Sequence, residues 1–379
     1  MEYGKLKVII SGGGTGGHIF PALSIAGKLK EVNPETEILF VGAEGRMEME
    51  KVPAAGYRII GLPVSGLQRK LTASNLALPF KVIKSVRMAR KILREFNPDI
   101  VIGVGGYASA PLLWAAGRLG IPTLIQEQNG FAGLTNKIVG RKAKSICVAY
   151  EGMERFFPAE RIVLTGNPIR KEIVPATEQM RKEGYEFYGL DPQKKHIFIV
   201  GGSLGSGTLN NAVKKWITDG CPGGDGIEVV WQCGKYYKKG IDAFMEEAAC
   251  TGIFHYDFIQ RMDLAYAVAD VVISRSGASS VSELCAAHKA VIFVPSPNVA
   301  EDHQTHNAMA LVNRYAAMMV TDAEAPEKLM NMACGLLEEP ERIALLEKNI
   351  AALARTDAAM DIVNEVYSVI RSEVEGSVK

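Results

Sequence analysis

The sequence predicts an α/β protein made of two similar halves, each a parallel sheet covered by helices on both faces. Short β-branched runs alternate with amphipathic helical stretches along the whole 379-residue chain, the pattern of strand–helix–strand units. A glycine-rich turn follows the first such run, and a second glycine-rich turn follows the run at 196–200, where the plan starts again. The length suits two domains of ordinary size.

Composition narrows the class. A net charge of +1 leaves no bulk attraction for nucleic acid, so basic clusters have to be judged locally. The six cysteines are scattered without a C-x-x-C pair, which fits reduced, mostly buried thiols of a cytosolic protein. No signal peptide is expected, because residues 1–7 run straight into the first strand. Residues 100–117 carry no charge, but their glycines and Pro111 mark a strand, a loop and a helix, not a membrane span.

The first strand is expected at 6–10. Behind it comes Ser11 to Pro21, S-G-G-G-T-G-G-H-I-F-P, with five glycines in the six positions 12–17. Glycines let the backbone approach a ligand and aim successive N–H groups at it, and a helix start behind them makes an anion site. That helix is expected to open at Pro21. Gly12, Gly14 and Gly17 match the dinucleotide fingerprint, yet the acid it needs about 20 residues later is missing. The second strand, 38–41, ends in Gly42-Ala43, and Glu44 comes late. A Walker loop is excluded, since His18 follows Gly17. What remains is a phosphate-facing turn with a histidine at its exit, or a tight turn without a ligand.

Further strands are expected at 57–60, 100–104, 123–126, 145–148 and 161–164. The second half then gives strands at 196–200, 228–231, 254–256, 271–274, 291–294 and 318–320, with a glycine turn at 201–206 and a helix at 209–216. The tail from Asp357 reads as a long amphipathic helix with Ile362, Val363, Val366, Val369 and Ile370 on one face. Two Rossmann-like halves follow, with ligands expected beyond the carboxyl ends of the strands and in a cleft between the halves. The domains are expected at 1–166 and 167–355, with 356–379 as a helix packing back on the first. Residues 184–195 read as a surface insertion.

Between Arg69 and Arg94 lie eight basic residues and no acid. On a helix, Val82, Val86, Ala89, Leu93 and Phe96 would share one face and Lys84, Arg87, Arg90, Lys91 and Arg94 the other. This is either a solvated surface helix or, with the apolar 76–80 beside it, a face for an anionic membrane surface through 69–94. Nucleic acid is the weaker partner, because interleaved aromatics are absent.

The ordered set Gly13-Gly14-Thr15-Gly16-Gly17-His18, Gly105-Gly106-Tyr107, Glu127-Gln128-Asn129-Gly130, Gly166-Asn167-Pro168-Ile169-Arg170, Gly201-Gly202-Ser203 and Arg275-Ser276-Gly277-Ala278 resembles the MurG family of peptidoglycan glycosyltransferases, nearly end to end. The resemblance implies the two-domain GT-B fold, no cofactor and no essential metal. The lack of an Asp-x-Asp pair agrees with the last of these. It implies inverting transfer of N-acetylglucosamine from UDP-GlcNAc to the muramyl 4-hydroxyl of an undecaprenyl-pyrophosphoryl muramyl-pentapeptide. It also implies a peripheral place on the cytoplasmic face of the bacterial inner membrane.

For the donor, the resemblance implies Thr15, Gly16, Gly17, Asn129, Arg170, Ser203, Ile259, Ala278, Glu283 and Gln304. For the acceptor pyrophosphate it implies Gly13, Gly14, Gly105, Gly106 and Tyr107. His18 is the leading general base, since imidazole ordinarily titrates near neutrality, and Glu127 is the second candidate. His18 could instead merely cap its helix, and Arg275 and Glu283 could be a capping or ion-pair arrangement. Leu204 stands where the family usually has glutamine, and His303 competes with Gln304 for the sugar contact. The competing readings are a UDP-sugar epimerase or another GT-B transferase, a catalytically silent nucleotide-binding scaffold, and a nicotinamide dehydrogenase.

Overall fold

A computed structural model describes residues 5–64, 78–202, 204–248 and 250–377. The chain divides into two compact units, Met1–Ile169 with Thr356–Lys379, and Arg170–Arg355. The division falls at Ile169/Arg170, where the sequence suggested 166/167.

The first unit holds a seven-stranded parallel sheet: β1 (Lys7–Gly12), β2 (Glu37–Ala43), β3 (Arg58–Leu62), β4 (Ile100–Gly105), β5 (Thr123–Glu127), β6 (Ser145–Val148) and β7 (Ile162–Leu164). Their order is β3-β2-β1-β4-β5-β6-β7. Val8 of β1 pairs with Ile38 on one side and Ile100 on the other, so the chain reverses its direction of winding between β1 and β4. The second unit repeats the plan with β8 (Lys195–Val200), β9 (Ile227–Gln232), β10 (Ile253–Tyr256), β11 (Val271–Ser274), β12 (Val291–Phe293) and β13 (Met318–Met319), ordered β10-β9-β8-β11-β12-β13. Every strand expected from the sequence is present, shifted by at most a few residues. The central strands are buried on both faces, which is why they read as unbroken apolar runs and not as alternations.

The helices differ more from expectation. α1 (Gly16–Val32) begins five residues before Pro21, which sits inside it. Glycine disfavours helix interiors, so its presence reads as loop, yet at the first turn no intrahelical N–H bond is required of it. α3 (Leu78–Phe96) buries Ser85, Ala89, Ile92 and Leu93, whereas Val82 and Ile83 are about half exposed, so the buried stripe is rotated from the expected one. Arg69, Lys70, Leu76 and Ala77 lie outside the described residues.

The expected surface insertion at 184–195 is instead the end of a docked helix, α6 (Glu178–Tyr188), and the start of β8. Gly184 is pressed so closely on Leu264 and Val268 of α9 (Met262–Val268) that a Cβ there would meet Val268 Cγ1 at 2.5 Å. Only glycine permits that approach. The last helix, α14 (Ala358–Ser377), packs on α1 and buries Ile362, Val363 and Val366 completely beside Ile25 and Leu29. At about 1.5–3 kcal/mol per buried aliphatic side chain, this face fixes the C-terminal helix to the first unit.

Candidate active site

In the first unit the two glycine loops after β1 and β4 meet at the point where the sheet changes its winding, the place where open α/β sheets bind ligands. Gly106 has φ +89°, and a Cβ on it would run into the Gly13 carbonyl, so the loops touch only because position 106 is glycine, whereas a Cβ on Gly13 would run into the Glu48 carboxylate. The buried Ser109 hydroxyl ties them further, bonding the carbonyls of Ser11 and Gly105, each at 2.9 Å.

The 12–17 turn is held from behind by a residue for which no role was expected. Glu48 is fully buried, and its carboxylate accepts the N–H of Gly14 at 2.9 Å and of Ala43 at 3.0 Å. The Gly14 amide is therefore already committed, and it shapes the turn. Thr15 is the N-cap of α1 with no side-chain cap bond, so the first amides of the helix, at Gly16 and Gly17, remain without intrahelical partners.

His18 stands in this first turn, partly exposed. Its Nδ1 lies 2.9 Å from Gln128 Oε1, and its ring lies against Gly105, where a Cβ would approach Nδ1 and Cε1 to 2.9 Å. Gln128 is buried and donates through Nε2 to the carbonyls of Val104 (2.8 Å) and Gln126 (3.0 Å) and to the Gln126 side chain. Gln126 Nε2 donates in turn to Asn167 Oδ1 at 2.9 Å, and Asn167 Nδ2 returns to the Gln128 carbonyl at 3.0 Å. Tyr107, next to Gly106, is exposed.

Glu127, the second base candidate, is held among main-chain and side-chain donors. Only 2% exposed, its carboxylate accepts from the amides of Asn129 (3.1 Å) and Gly133 (3.0 Å) and from Asn136 Nδ2 (2.9 Å). These are charge-assisted bonds, each worth about 1.5–3 kcal/mol. Its work is to hold Asn129 and the start of α5 (Leu134–Gly140) in place.

In the second unit Arg170 and Glu283 form a two-pronged pair, Nε to Oε1 and Nη2 to Oε2, both at 2.8 Å. Burial disfavours the Arg170 charge, but the bonded Glu283 carboxylate outweighs it and holds the guanidinium above its usual range. The Tyr266 hydroxyl, buried and raised well above an ordinary phenol by desolvation and by the Glu283 charge, donates to Glu283 Oε2 at 3.4 Å. Glu283 sits on α10 (Ala278–Ala286), whose first residue is Ala278. Beside that helix start, the Ser276 hydroxyl donates to the Gln304 carbonyl at 2.8 Å, and Gln304 Oε1 accepts the Ser296 amide at 2.9 Å. The structure thus brings Arg170, Ala278, Glu283 and Gln304 together around the ends of β11 and β12.

Arg275 is no helix cap. It donates to the carbonyls of Val294 (2.9 Å) and Pro295 (3.1 Å), to Asp322 (2.6 Å) and to Ser206 Oγ (2.7 Å). Ser206 is the N-cap of α7 (Gly207–Thr218), so Arg275 ties the second glycine turn to the loop after β11. The N–H of Ile259 is taken by Gln232 Oε1 at 3.0 Å, which leaves its carbonyl as the polar group for a ligand. Ser203 lies outside the described residues, and Leu204 is 76% exposed.

Residues 8–148 match the glycosyltransferase family 28 N-terminal domain, and residues 196–365 match its C-terminal domain. A protein of Parabacteroides distasonis named UDP-N-acetylglucosamine–N-acetylmuramyl-(pentapeptide) pyrophosphoryl-undecaprenol N-acetylglucosamine transferase is 52% identical over 371 residues, covering 97% of this chain and 99% of its own. Among solved structures, MurG of Acinetobacter baumannii superposes with a TM-score of 0.75 at 29% identity, covering 96% of this chain and 99% of its own. A UDP-GlcNAc 2-epimerase of Neisseria meningitidis superposes with a TM-score of 0.66 at 13% identity, over 96% of this chain and all of its own, a likeness of fold alone.

Proposed function

The chain belongs to glycosyltransferase family 28, and on that premise we propose that it moves N-acetylglucosamine from UDP-GlcNAc to the muramyl 4-hydroxyl of undecaprenyl-pyrophosphoryl-MurNAc-pentapeptide. The observation that carries this reading is 52% identity across practically the whole of both chains to a transferase of that name. The fold is GT-B, as the sequence implied.

In this reading the first unit serves the acceptor and the second the donor. His18 Nε2 takes the proton of the acceptor hydroxyl as its oxygen attacks the anomeric carbon, and the bond from that carbon to the diphosphate breaks with inversion. UDP leaves with the electron pair. Its developing charge meets Arg170 and the N-terminus of α10, where a helix carries roughly half a positive charge. Glu283 both orients Arg170 and faces the nucleoside, the Ile259 carbonyl meets the base, and Asn129 and Gln304 meet the sugar. The amides of Gly16 and Gly17 are assigned to donor contacts, and Gly13, Gly105, Gly106 and Tyr107 to the acceptor pyrophosphate, with Gly14 shaping the turn.

Membrane attachment is assigned to the exposed side of α3, where Lys84, Arg87, Lys91 and Arg94 lie near exposed Val82 and Ile83. Trp114, 40% exposed, carries Arg90 and Arg118 over its ring at 5.6 and 4.8 Å. Cations beside apolar and aromatic groups suit an anionic lipid surface. No helix among the described residues is long and apolar enough to cross a membrane.

The test is UDP release from UDP-GlcNAc with and without the lipid-linked muramyl acceptor. Acceptor-dependent UDP is expected, and His18→Ala should lower kcat by about 10²–10⁴. No UDP above a heat-killed control overturns the reading, and an isomerised sugar formed without acceptor replaces it with an epimerase.

A further inference from the structure

Resting on the reading of His18 as the base, we propose that Gln128 is a positioning residue that holds the His18 imidazole in the Nδ1–H tautomer and so keeps the Nε2 lone pair open for the acceptor proton. The orientation of the Gln128 amide decides the matter. Its nitrogen donates to the main-chain carbonyls of Val104, at 2.8 Å, and Gln126, at 3.0 Å. Carbonyl oxygens only accept, so turning the amide over would set its oxygen against both of them in a buried place, where unmade hydrogen bonds are most expensive.

Asn167 fixes the same sense independently. Its Nδ2 donates to the Gln128 carbonyl at 3.0 Å, so its Oδ1 must accept, and it accepts from Gln126 Nε2 at 2.9 Å. Gln126 Oε1 is then an acceptor, and it faces Gln128 Nε2. Main-chain carbonyls at two points of the ring of amides thus set the direction of every bond in it.

What Gln128 presents to His18 is therefore an oxygen, 2.9 Å from Nδ1. An amide oxygen has no proton to give, so this hydrogen bond exists only when Nδ1 carries one. In the neutral ring Nε2 is then unprotonated, and it has no partner among the described residues. Gly105 permits the arrangement, because any side chain there would press on Nδ1 and Cε1. Gln128 is the partner that a general-base histidine needs on its far nitrogen, supplied here by a neutral amide where other enzymes use a carboxylate.

The test is an imidazole ¹H–¹⁵N correlation on the full chain labelled with ¹⁵N-histidine, without substrates, at about pH 8, where an ordinary imidazole is neutral. His18 is identified among the six histidines by its loss in His18→Asn. Its Nδ1 is expected to be pyrrole-like and its Nε2 pyridine-like. In Gln128→Met the pattern should become mixed, and kcat should fall about tenfold or more with KM for UDP-GlcNAc unchanged. A wild-type His18 that carries its proton on Nε2 overturns the proposal without recourse to any Gln128 variant, and so does a Gln128→Met pattern identical to wild type. The base reading fails separately, if His18→Asn turns over at the wild-type rate. The tautomer is then still read from the spectrum.

Discussion

Glu48 is fully buried, and both of its carboxylate oxygens are occupied by main-chain amides, Gly14 on one and Ala43 on the other. A carboxamide of the same shape would set an NH₂ group against one of those N–H donors. Glu48→Gln is therefore expected to cost about 2 kcal/mol and to lower kcat more than it raises the donor KM. A denaturation midpoint equal to wild type would show that Glu48 does not hold the turn. Lys289 is buried to 2% exposure with its ammonium on the Ala269 carbonyl at 2.8 Å, and burial lowers its pKa from 10.5 to about 8. The unfolded chain binds a proton between those values that the folded chain refuses, so stability rises with pH across that window. Lys289→Met should abolish the rise in chemical-denaturation series from pH 8 to 10.5, and an unchanged slope would place its origin elsewhere. Neither residue stands out in the sequence. Glu48 sits in a Met-Glu-Met-Glu run that reads as a solvated helix start, and nothing local says that one of its two acids points inward.

Among the elements, strands were legible and helix faces only partly so. A strand buried on both sides needs an unbroken apolar run, and such runs leave little freedom of placement. A surface helix tolerates a mixed stripe, and α3 shows the result: Ser85, outside the expected apolar face, is buried, and Val82, on that face, is left outside. On the exposed side, Lys84→Glu with Arg87→Glu is expected to weaken co-sedimentation with anionic vesicles at low salt, at about 1 kcal/mol per basic residue lost. Binding that is equal to wild type would assign the basic face another purpose. Glycines divide in the same way. Gly106→Ala should destabilise by about 1–3 kcal/mol, because φ is +89° and the neighbouring loop fills the space. Gly117→Ala, inside α4 (Ser109–Arg118) with open space around it, should stabilise by about 0.5–1 kcal/mol. Thermal unfolding of the two variants in parallel separates them, and equal shifts would contradict the contact between the glycine loops.

At the scale of the whole chain, two sheets that share the order of their first six strands each put a glycine turn at their point of reversal. That repetition was visible in the sequence, because both first strands are followed by glycine turns and both halves begin afresh at such a run. The site was legible as motifs but not as wiring. The paired glycines, His18 and Arg170 announce themselves, whereas the amide ring of Gln126, Gln128 and Asn167 joins residues 41 positions apart that only the fold brings together. The resemblance likewise assigned Glu283 to the donor, and the ion pair to Arg170 emerged only from the geometry. The most direct test is a crystal of the full chain soaked with UDP-N-acetylglucosamine. The diphosphate should lie within hydrogen-bond reach of Arg170 and the first turn of α10. A diphosphate seated instead on the 12–17 turn, away from Arg170, would contradict the assignment of the donor to the second unit and of the leaving-group charge to its arginine and helix.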